Sequence, residues 1–313
     1  MSQECRIMRA NILLLIAISL LPLQGLAWGA TGHQLVCAMA EQQLTPGARQ
    51  WLNALLADGS VLDRGSMQGK SSMQGKSSMQ DNSPIQSFAD ACLWPDTARH
   101  STHIGSYEQH FINVPASATS IDLARDCPAM DCNVIGVRRS LVYLAQPTES
   151  SRERARQAAA LRFLAHFIGD LHQPLHVGQP EDWGGNKIRV KWLGEATNLH
   201  TVWDSKMIEH AGMTYPASLQ PLLQQASQKT DTSVAVMPWL TASLKLARER
   251  AYRDQHGTLI TNGTQLGEAY QTSNAALINT QLILAGQRLA NLINQLADGT
   301  LTVANIPQRV FGE

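Results

Sequence analysis

Two histidine–aspartate pairs with the same four-residue spacing occur in different parts of this chain. His166 and Asp170 lie in the sequence FLAHFIGDL, and His200 and Asp204 lie in LHTVWD. On a helix, this spacing places an imidazole and a carboxylate on one face, one turn apart. Both groups are ligands that zinc accepts in proteins. With His176, the two pairs supply too many ligands for one tetrahedral ion, so the pattern predicts a metal cluster.

The residues around the first pair distinguish it from an ordinary surface pair. A single His-x-x-x-Asp pair is commonly only a hydrogen bond on a helix surface. Here Phe163, Phe167 and Ile168 make the surroundings apolar, so the polar side chains would be buried. Buried imidazoles and carboxylates need partners. Pro174 should end the helix, which allows His176 to point back toward the pair and favours metal binding.

The elements that must position these residues are predicted to be mainly helical. Apolar periodicity or capping residues indicate helices in four segments. They are Pro46 to about Leu56, Asn133–Ala145, a long helix capped by Ser150 or Ser151 that leads into His166, and Asn274–Leu296. The alternation in Lys187–Trp192 predicts a strand of a small hairpin around Gly194.

Two segments are predicted to lie outside the folded catalytic part. Residues 1–27 have the basic start, apolar run and small final residues of a secretory signal, so we expect cleavage before Trp28 and a secreted or periplasmic protein. No cysteine directly follows this cleavage site, and we expect no membrane anchor. Residues 66–80 repeat the sequence SMQGKS and are predicted to be a flexible, low-complexity surface insertion in a catalytic domain that spans 28–313.

Charge and cysteine content restrict the kind of protein further. The chain has 25 basic and 25 acidic residues, which argues against a broadly basic surface for long nucleic acids. Any phosphate affinity should therefore be local. Removal of the signal leaves four cysteines, and an even number in an exported chain predicts two disulfides. Three pairings are open, of which Cys37–Cys92 with Cys127–Cys132 is preferred.

Three further segments carry side chains suited to chemistry: WGATGH at 28–33, LWPDTAR at 93–99 and HFIN at 110–113. Together with the two pairs, they resemble the secreted zinc-dependent single-strand nucleases and 3′-nucleotidases, which share a superfamily with zinc-dependent phospholipases C. The resemblance runs from Trp28 to about Asp204. It implies a single, mainly α domain of the zinc phospholipase C and single-strand nuclease type, with a small β-hairpin and a trinuclear metal cleft.

The resemblance also implies nine zinc-binding residues for three zinc ions. The first ion would be held by Asp96, His110, His166 and Asp170. The second would be held by the amino and carbonyl groups of Trp28, by His33 and by Asp170, which the two ions share. The third would be held by His176, His200 and Asp204.

The activity implied by the resemblance is that of an endonuclease and 3′-nucleotidase. A metal-activated hydroxide would attack phosphorus in single-stranded DNA or RNA and leave products with a 5′-phosphate. Asp96 and Asp170 would act through the metals, and Arg99 would neutralise the phosphoryl oxygens. The alternative for Arg99 is a salt bridge to a nearby carboxylate. The residues implied to bind the base are Phe111, Asn113, Trp183 and Asn186; core packing is the alternative for Phe111 and Trp183.

Two other functions remain open from the sequence. A zinc-dependent phospholipase C acting on phosphatidylcholine-type lipids would use the same cluster, but that branch tends to have Glu where this chain has Asp204. A non-catalytic zinc-binding protein would close its coordination, whereas this cluster should leave positions for water. We therefore expect single-stranded nucleic acid and 3′-nucleotides as substrates, and a monomer.

Overall fold

The chain folds mainly into helices, with one small sheet. The computed structural model describes residues 28–65, 87–227 and 231–313. Its α-helices are α1 (Ala30–Gln42), α2 (Pro46–Gly65), α3 (Phe88–Ala91), α4 (Trp94–Ala98), α5 (Leu123–Asp126), α6 (Asn133–Leu144), α7 (Ser151–Leu171), α8 (Leu199–Thr201), α9 (Met207–His210), α10 (Leu219–Ala226), α11 (Val236–Leu246) and α12 (Glu268–Ala297). Tighter 3₁₀ turns occupy Ile104–His110 and Pro174–Val177, and wider π turns occupy Val202–Lys206, Ala247–Ala251 and Pro307–Phe311. The predicted mainly α class is confirmed, whereas the predicted signal at 1–27 and the repeat at 66–80 lie outside the described residues.

The sheet has three short strands in the order β2-β1-β3. Strands β1 (Arg189–Trp192) and β2 (Glu195–Asn198) form the predicted hairpin, which turns at Leu193 and Gly194. Gly194 has a φ of +91°, a conformation that glycine adopts without steric cost. Strand β3 (Gln265–Leu266) pairs in parallel with β1 and was not predicted, because two residues carry no readable alternation.

Helix α7 is fixed at both ends. At its start, the Ser150 hydroxyl accepts from the Glu153 N–H while the Glu153 carboxylate accepts from the Ser150 N–H, which forms a capping box. At its end, the Ser243 hydroxyl of α11 donates to the Leu171 carbonyl, and the Gln281 amide of α12 donates to the His172 carbonyl. These bonds satisfy carbonyls that a helix end otherwise leaves without partners. The late helices α11 and α12 therefore position the helix that carries His166 and Asp170.

Two helices are longer in the structure than the sequence predicts: α2 at its end and α12 at its start. Thr45 caps α2 as predicted, since its hydroxyl accepts from the Ala48 N–H at 3.2 Å, but the helix continues to Gly65 instead of ending near Leu56. Helix α12 begins at Glu268, six residues before the predicted start at Asn274. Both extensions contain polar residues whose helical state the apolar pattern does not indicate.

The core lies between α7 and the helices packed on it. Helix α7 packs against α2, α6 and α12, and α1 lies across α12. Trp28, Phe167 and Trp203 are among the largest fully buried side chains. Within the described residues, no helix is both long and apolar enough to cross a membrane.

The two predicted disulfides are present. Cys37–Cys92 joins α1 to the turn before α4, and Cys127–Cys132 closes the short loop before α6. The preferred pairing among the three open ones is thus confirmed. Because α1 carries His33 and α4 carries Asp96, the first disulfide ties together two elements that bear predicted metal ligands.

Candidate metal centre

Helix α7, α4 and the 3₁₀ turn at Ile104–His110 bring the first group of donors together. His166 Nε2 lies 3.1 Å from His110 Nδ1 and 3.4 Å from Asp170 Oδ2. Asp96 Oδ1 is 3.6 Å from His166 Nε2 and 4.0 Å from His110 Nδ1. The structure thus places His110, His166 and Asp170 around a common point, and Asp96, the fourth ligand that the resemblance implies for this ion, approaches the same point from the side of His166.

Asp170 faces two sets of donors with its two oxygens. Oδ2 lies 3.1 Å from His110 Nδ1, whereas Oδ1 lies 3.4 Å from His33 Nε2. The side chain is 0% exposed, and neither oxygen has a hydrogen-bond partner in the described part of the chain. A carboxylate with both oxygens buried and unpaired, each directed at a different imidazole, is arranged to bridge two cations.

Close helix packing brings His33 to this point. The His33 and His166 rings stack with centroids 3.8 Å apart. A Cβ on Gly169 would lie 2.8 Å from His33 Nδ1, so only glycine leaves room for that ring beside Asp170. The donor atoms of three residues, His33, Asp96 and His166, also lie within 4.8 Å of one another. The donors expected for the second ion, to which His33 belongs, are therefore contiguous with those of the first.

The third group lies where the hairpin joins α8. His200 Nε2 is 3.2 Å from Asp204 Oδ2, and His176 Nε2 is 4.0 Å from Asp204 Oδ1. The chain between His200 and Asp204 passes from α8 into a π turn, the kind of widened turn that recurs at functional sites. His176 sits in the 3₁₀ turn after Pro174 and points back toward the cluster, as expected from the sequence.

Backbone carbonyls fix which nitrogen three of the histidines present. The Nδ1 atoms of His166, His176 and His200 lie 2.6–2.7 Å from the carbonyl oxygens of Cys92, His110 and Gly184, respectively. A carbonyl only accepts, so each Nδ1 carries the proton and each Nε2 has a free lone pair. This orientation by a neighbouring carbonyl is typical of histidines that bind metals.

The spacing of the donors fits tetrahedral metal binding. Ligand atoms about 2.0–2.1 Å from one tetrahedral zinc ion lie about 3.3 Å from each other. The nearest donor pairs in the first group are 3.1–3.6 Å apart, and the closest pair in the third group is 3.2 Å apart. Buried donor atoms without hydrogen-bond partners in the described residues include His33 Nε2, Asp96 Oδ1, His176 Nε2 and Asp204 Oδ2. Such atoms are costly unless a cation satisfies them, so the residues present fit a metal cluster.

Burial sets the protonation states of the cluster. It lowers the pKa of the His33 and His176 imidazoles well below the ordinary value and that of His200 to about 4. It raises the pKa of the Asp170 and Asp204 carboxyls well above the ordinary value. The imidazoles are therefore neutral, as metal ligands must be, and a cation would offset the cost of two buried carboxylate charges.

Trp28 lies at the start of the segment that leads into α1, next to the backbone of Asp204. Its side chain is fully buried, and a Cβ on Gly32 would lie 2.7 Å from Trp28 Cβ, so the indole acts as a core anchor. The next residue, Gly29, donates its N–H to the Asp204 carbonyl at 2.7 Å. This bond holds the backbone of the WGATGH segment against the π turn that carries Asp204.

Arg99 is both an ion-pair partner and a residue of the open cleft. Its Nη2 lies 3.3 Å from Asp96 Oδ1, and its guanidinium lies over the Tyr107 ring. The salt bridge that the sequence analysis gave as the alternative role is therefore present. Arg99 also lines the cleft above the cluster, and Nη2 makes no hydrogen bond within the described residues. The same guanidinium can therefore contact an anion in the cleft.

All four predicted base-binding residues line the cleft. Phe111 is half-buried and packs edge-to-face against Tyr107, while Asn113 is half-buried nearby in sequence. Trp183 is 63% exposed, which excludes core packing for this side chain, and the Lys187 ammonium lies 4.0 Å from the centre of its ring. The Asn186 amide donates to the Trp183 carbonyl, so it shapes this loop.

Gln173 is a residue of the centre that the sequence analysis missed. Its Nε2 donates to Asp204 Oδ1 at 2.5 Å, and its Oε1 accepts from the Leu175 N–H. The side chain is fully buried and thereby fixes one oxygen of Asp204. Its position between two predicted ligand segments, in DLHQPLH, was the only signal in the sequence.

Comparison with known proteins identifies relatives over nearly the whole chain. The model of the S1/P1 Nuclease family matches residues 28–298. Endonuclease 4 of Arabidopsis thaliana is 30% identical over 87% of this chain and 89% of its own length. Nuclease P1 of Penicillium citrinum is 28% identical over 86% of this chain and 97% of its own. Nuclease S1 of Aspergillus oryzae is 29% identical over 61% of this chain and 58% of its own.

Replacing Gln173 with alanine should weaken metal binding at the third group. Loss of the bond to Asp204 frees its carboxylate, and changes of this kind typically lower metal affinity about 10–100-fold. The measurement is the metal retained after dialysis against graded chelator. Gln43→Ala is the control, because the Gln43 amide caps α1 by donating to Met39. Equal retention in wild type and both variants would show that Gln173 does not position Asp204.

Proposed function

This chain belongs to the S1/P1 nuclease family, and we propose that it hydrolyses single-stranded DNA and RNA to 5′-phosphorylated products and removes the phosphate of 3′-nucleotides. The family is one of metal-dependent nucleases, so the chain is a hydrolase. The observation that carries the proposal is Asp170, whose two buried and otherwise unpaired oxygens face separate imidazoles. A bridging carboxylate of this kind serves a cluster that acts on phosphate esters.

We assign three zinc ions to the donor groups. Asp96, His110, His166 and Asp170 would hold the first ion, Trp28, His33 and Asp170 the second, and His176, His200 and Asp204 the third. When bound, the ions would activate a water and offset the negative charge that develops on the phosphate oxygens. The neutral histidines and nearby carboxylates described above support this assignment, and the Trp28 contribution requires that cleavage leave its amino group free.

The side chains of the cleft would bind and orient the substrate. Arg99 is positioned to neutralise a phosphoryl oxygen, because its buried guanidinium is held by Asp96 next to the cluster and faces the cleft. Phe111 directly follows the ligand His110, so a base stacked on its ring would sit beside the scissile phosphate. Asn113 offers both a donor and an acceptor to the edge of that base. Trp183 and Asn186 would form the opposite side of the pocket.

The relatives favour a nuclease over a phospholipase C. Those compared above are named as endonucleases and nucleases, and the family match includes the segments from Trp28 to Asp204. The two disulfides support a protein that matures in an oxidising compartment. We therefore propose a secreted or periplasmic enzyme, made as a signal at 1–27 and a catalytic domain at 28–313.

A panel of substrates should separate the candidate functions. The zinc-loaded protein should cleave single-stranded DNA, RNA and 3′-AMP, leave phosphatidylcholine intact and lose activity with chelator, because metals satisfy the buried donors. Products are checked for a 5′-phosphate by kinase labelling before and after phosphatase treatment, because only removal of a 5′-phosphate exposes a 5′-hydroxyl that the kinase can label. Turnover of phosphatidylcholine without cleavage of DNA or RNA would assign the phospholipase function. Bound metal without turnover of any substrate would assign a non-catalytic role.

Replacing Phe111 with alanine should affect only substrates that contain a base. Base–aromatic stacking contributes about 1–3 kcal/mol, so kcat/KM for 3′-AMP should fall by a corresponding factor, whereas a base-free phosphodiester should be hydrolysed nearly as before. Tyr143→Ala, which removes an exposed aromatic ring outside the cleft, is the control. Equal losses on both kinds of substrate would show that Phe111 supports the metal centre through packing instead.

A further inference from the structure

One continuous cleft connects the metal centre with the small sheet. Its volume is about 1610 Å³, and its lining includes His110 and His200 of the cluster as well as Arg189 and Lys191 of β1. Pockets for a single small molecule are typically about 300–1,000 Å³. The cleft therefore has more room than one nucleotide requires, and the additional room extends along the hairpin.

The charges along this cleft are unbalanced, although the whole chain is neutral. Five basic residues line it, namely Arg99, Lys187, Arg189, Lys191 and Lys206, against two acidic residues, Glu108 and Glu195. Arg99 pairs with Asp96, and Lys206 pairs with Glu209. Arg189 and Lys191 take part in none of the ion pairs found in the described ranges, so both exposed cations are available to an anion.

The strand geometry arranges these two cations as a row. Arg189 and Lys191 are separated by one residue on β1, so they lie on the same face about 6.6 Å apart. Their neighbours across the sheet are uncharged: Asn198 lies opposite Arg189, and Ala196 and Gln265 flank Lys191. The acidic Glu195, which also lines the cleft, pairs with Trp192 and therefore lies on the opposite face of the sheet from the two cations. Because β1 is the central strand, partners on both sides fix the row.

The row begins close to the third donor group. Arg189 pairs with Asn198, which precedes His200 by two residues. Pairing and strand distances place Arg189 and His200 within about 10–12 Å along the backbone. The base of the hairpin is held there, since the Leu199 N–H donates to the Ile188 carbonyl and His200 Nδ1 donates to the Gly184 carbonyl. Lys191 continues the row away from the cluster.

We propose that Arg189 and Lys191 form a phosphate-binding strip that holds the single strand beyond the nucleotide being cleaved. This inference rests on the proposed nuclease function and extends it, because it makes the enzyme prefer oligonucleotides over mononucleotides. A row of cations spaced one nucleotide apart matches the repeating phosphates of an extended single strand. Lys187, which lies over the Trp183 ring, joins the strip to the base-binding part of the cleft.

The regular spacing of the two cations also indicates which kind of nucleic acid fits the strip. A 3′-mononucleotide has one phosphate, which would be bound by the metal centre and Arg99. Such a substrate has no further phosphate to place on the strip. A duplex is broader and stiffer than a single strand, and its paired bases could not stack in the cleft. The strip therefore serves single strands that extend past the cleavage site.

The test compares two substrates in the zinc-loaded enzyme carrying both Arg189→Gln and Lys191→Gln. On a single-stranded oligonucleotide of about a dozen nucleotides, kcat/KM should fall roughly three- to thirtyfold, the range for two exposed charge contacts. The slope of log kcat/KM against log salt should become shallower by about 1.4, because two phosphate contacts are lost. Hydrolysis of 3′-AMP should stay as in wild type.

Two variants serve as controls. Arg152→Gln with Lys245→Gln removes the same net charge at exposed residues outside the cleft and should leave both substrates and the salt slope unchanged. Arg189→Lys with Lys191→Arg keeps the charges and should retain oligonucleotide activity, which shows that the loss comes from charge.

Three outcomes would overturn the strip. They are equal losses on the oligonucleotide and 3′-AMP, an unchanged salt slope in the glutamine variant, or the same loss in the control with distant charges removed. A wild-type enzyme that cleaves neither substrate would instead overturn the proposed function, and the strip with it. Activity of wild type on both substrates thus separates failure of the strip from failure of the function.

Discussion

The buried carboxylate of Asp170 is the constraint on which the rest of this structure depends. A fully buried carboxylate without hydrogen bonds is among the least favourable groups that a protein interior can contain. Around it the chain adds neutral imidazoles, which have no positive charge to offer, and burial raises the pKa of the carboxyl. Bound cations would offset the cost of the buried charge, so a fold that maintains this arrangement is organised for metal binding.

The surrounding elements are joined so that the donor groups keep their relative positions. The disulfide Cys37–Cys92 connects α1, which carries His33, to the turn before α4, which carries Asp96. The carbonyl of Cys92 also orients the His166 ring. One covalent link thus holds together the elements that carry His33, Asp96 and the carbonyl that orients His166.

The β1–β2 hairpin holds the donors of the third group in position, as the Cys37–Cys92 disulfide does for those near Asp170. It enters through the loop whose Gly184 carbonyl orients His200, and it leaves directly into α8. The strand that fixes this ligand also presents Arg189 and Lys191 to the cleft. The position of the cations relative to the metal centre is therefore set by the same strand pairing, which would let a chain of zero net charge attract a polyanion locally.

Local signals in the sequence predicted much of the fold and of the centre. The capping box at Ser150, the hairpin at Gly194 and the two His-x-x-x-Asp pairs each depend on residues close in the chain. The features that were missed depend on distant contacts. Gln173 became visible only when the fold placed it on Asp204, and the row of cations required the partners of β1 and the shape of the cleft. The early start of α12 depends in the same way on packing rather than on its own apolar pattern.

The measurement that tests the metal centre most directly is anomalous diffraction at the zinc edge from crystals of the zinc-loaded protein. Three peaks are expected: one on each side of Asp170, each bound by one of its oxygens, and one among His176, His200 and Asp204. Peaks that leave Asp170 bound to a single ion, or to none, would contradict the bridging role of this carboxylate and with it the proposed cluster.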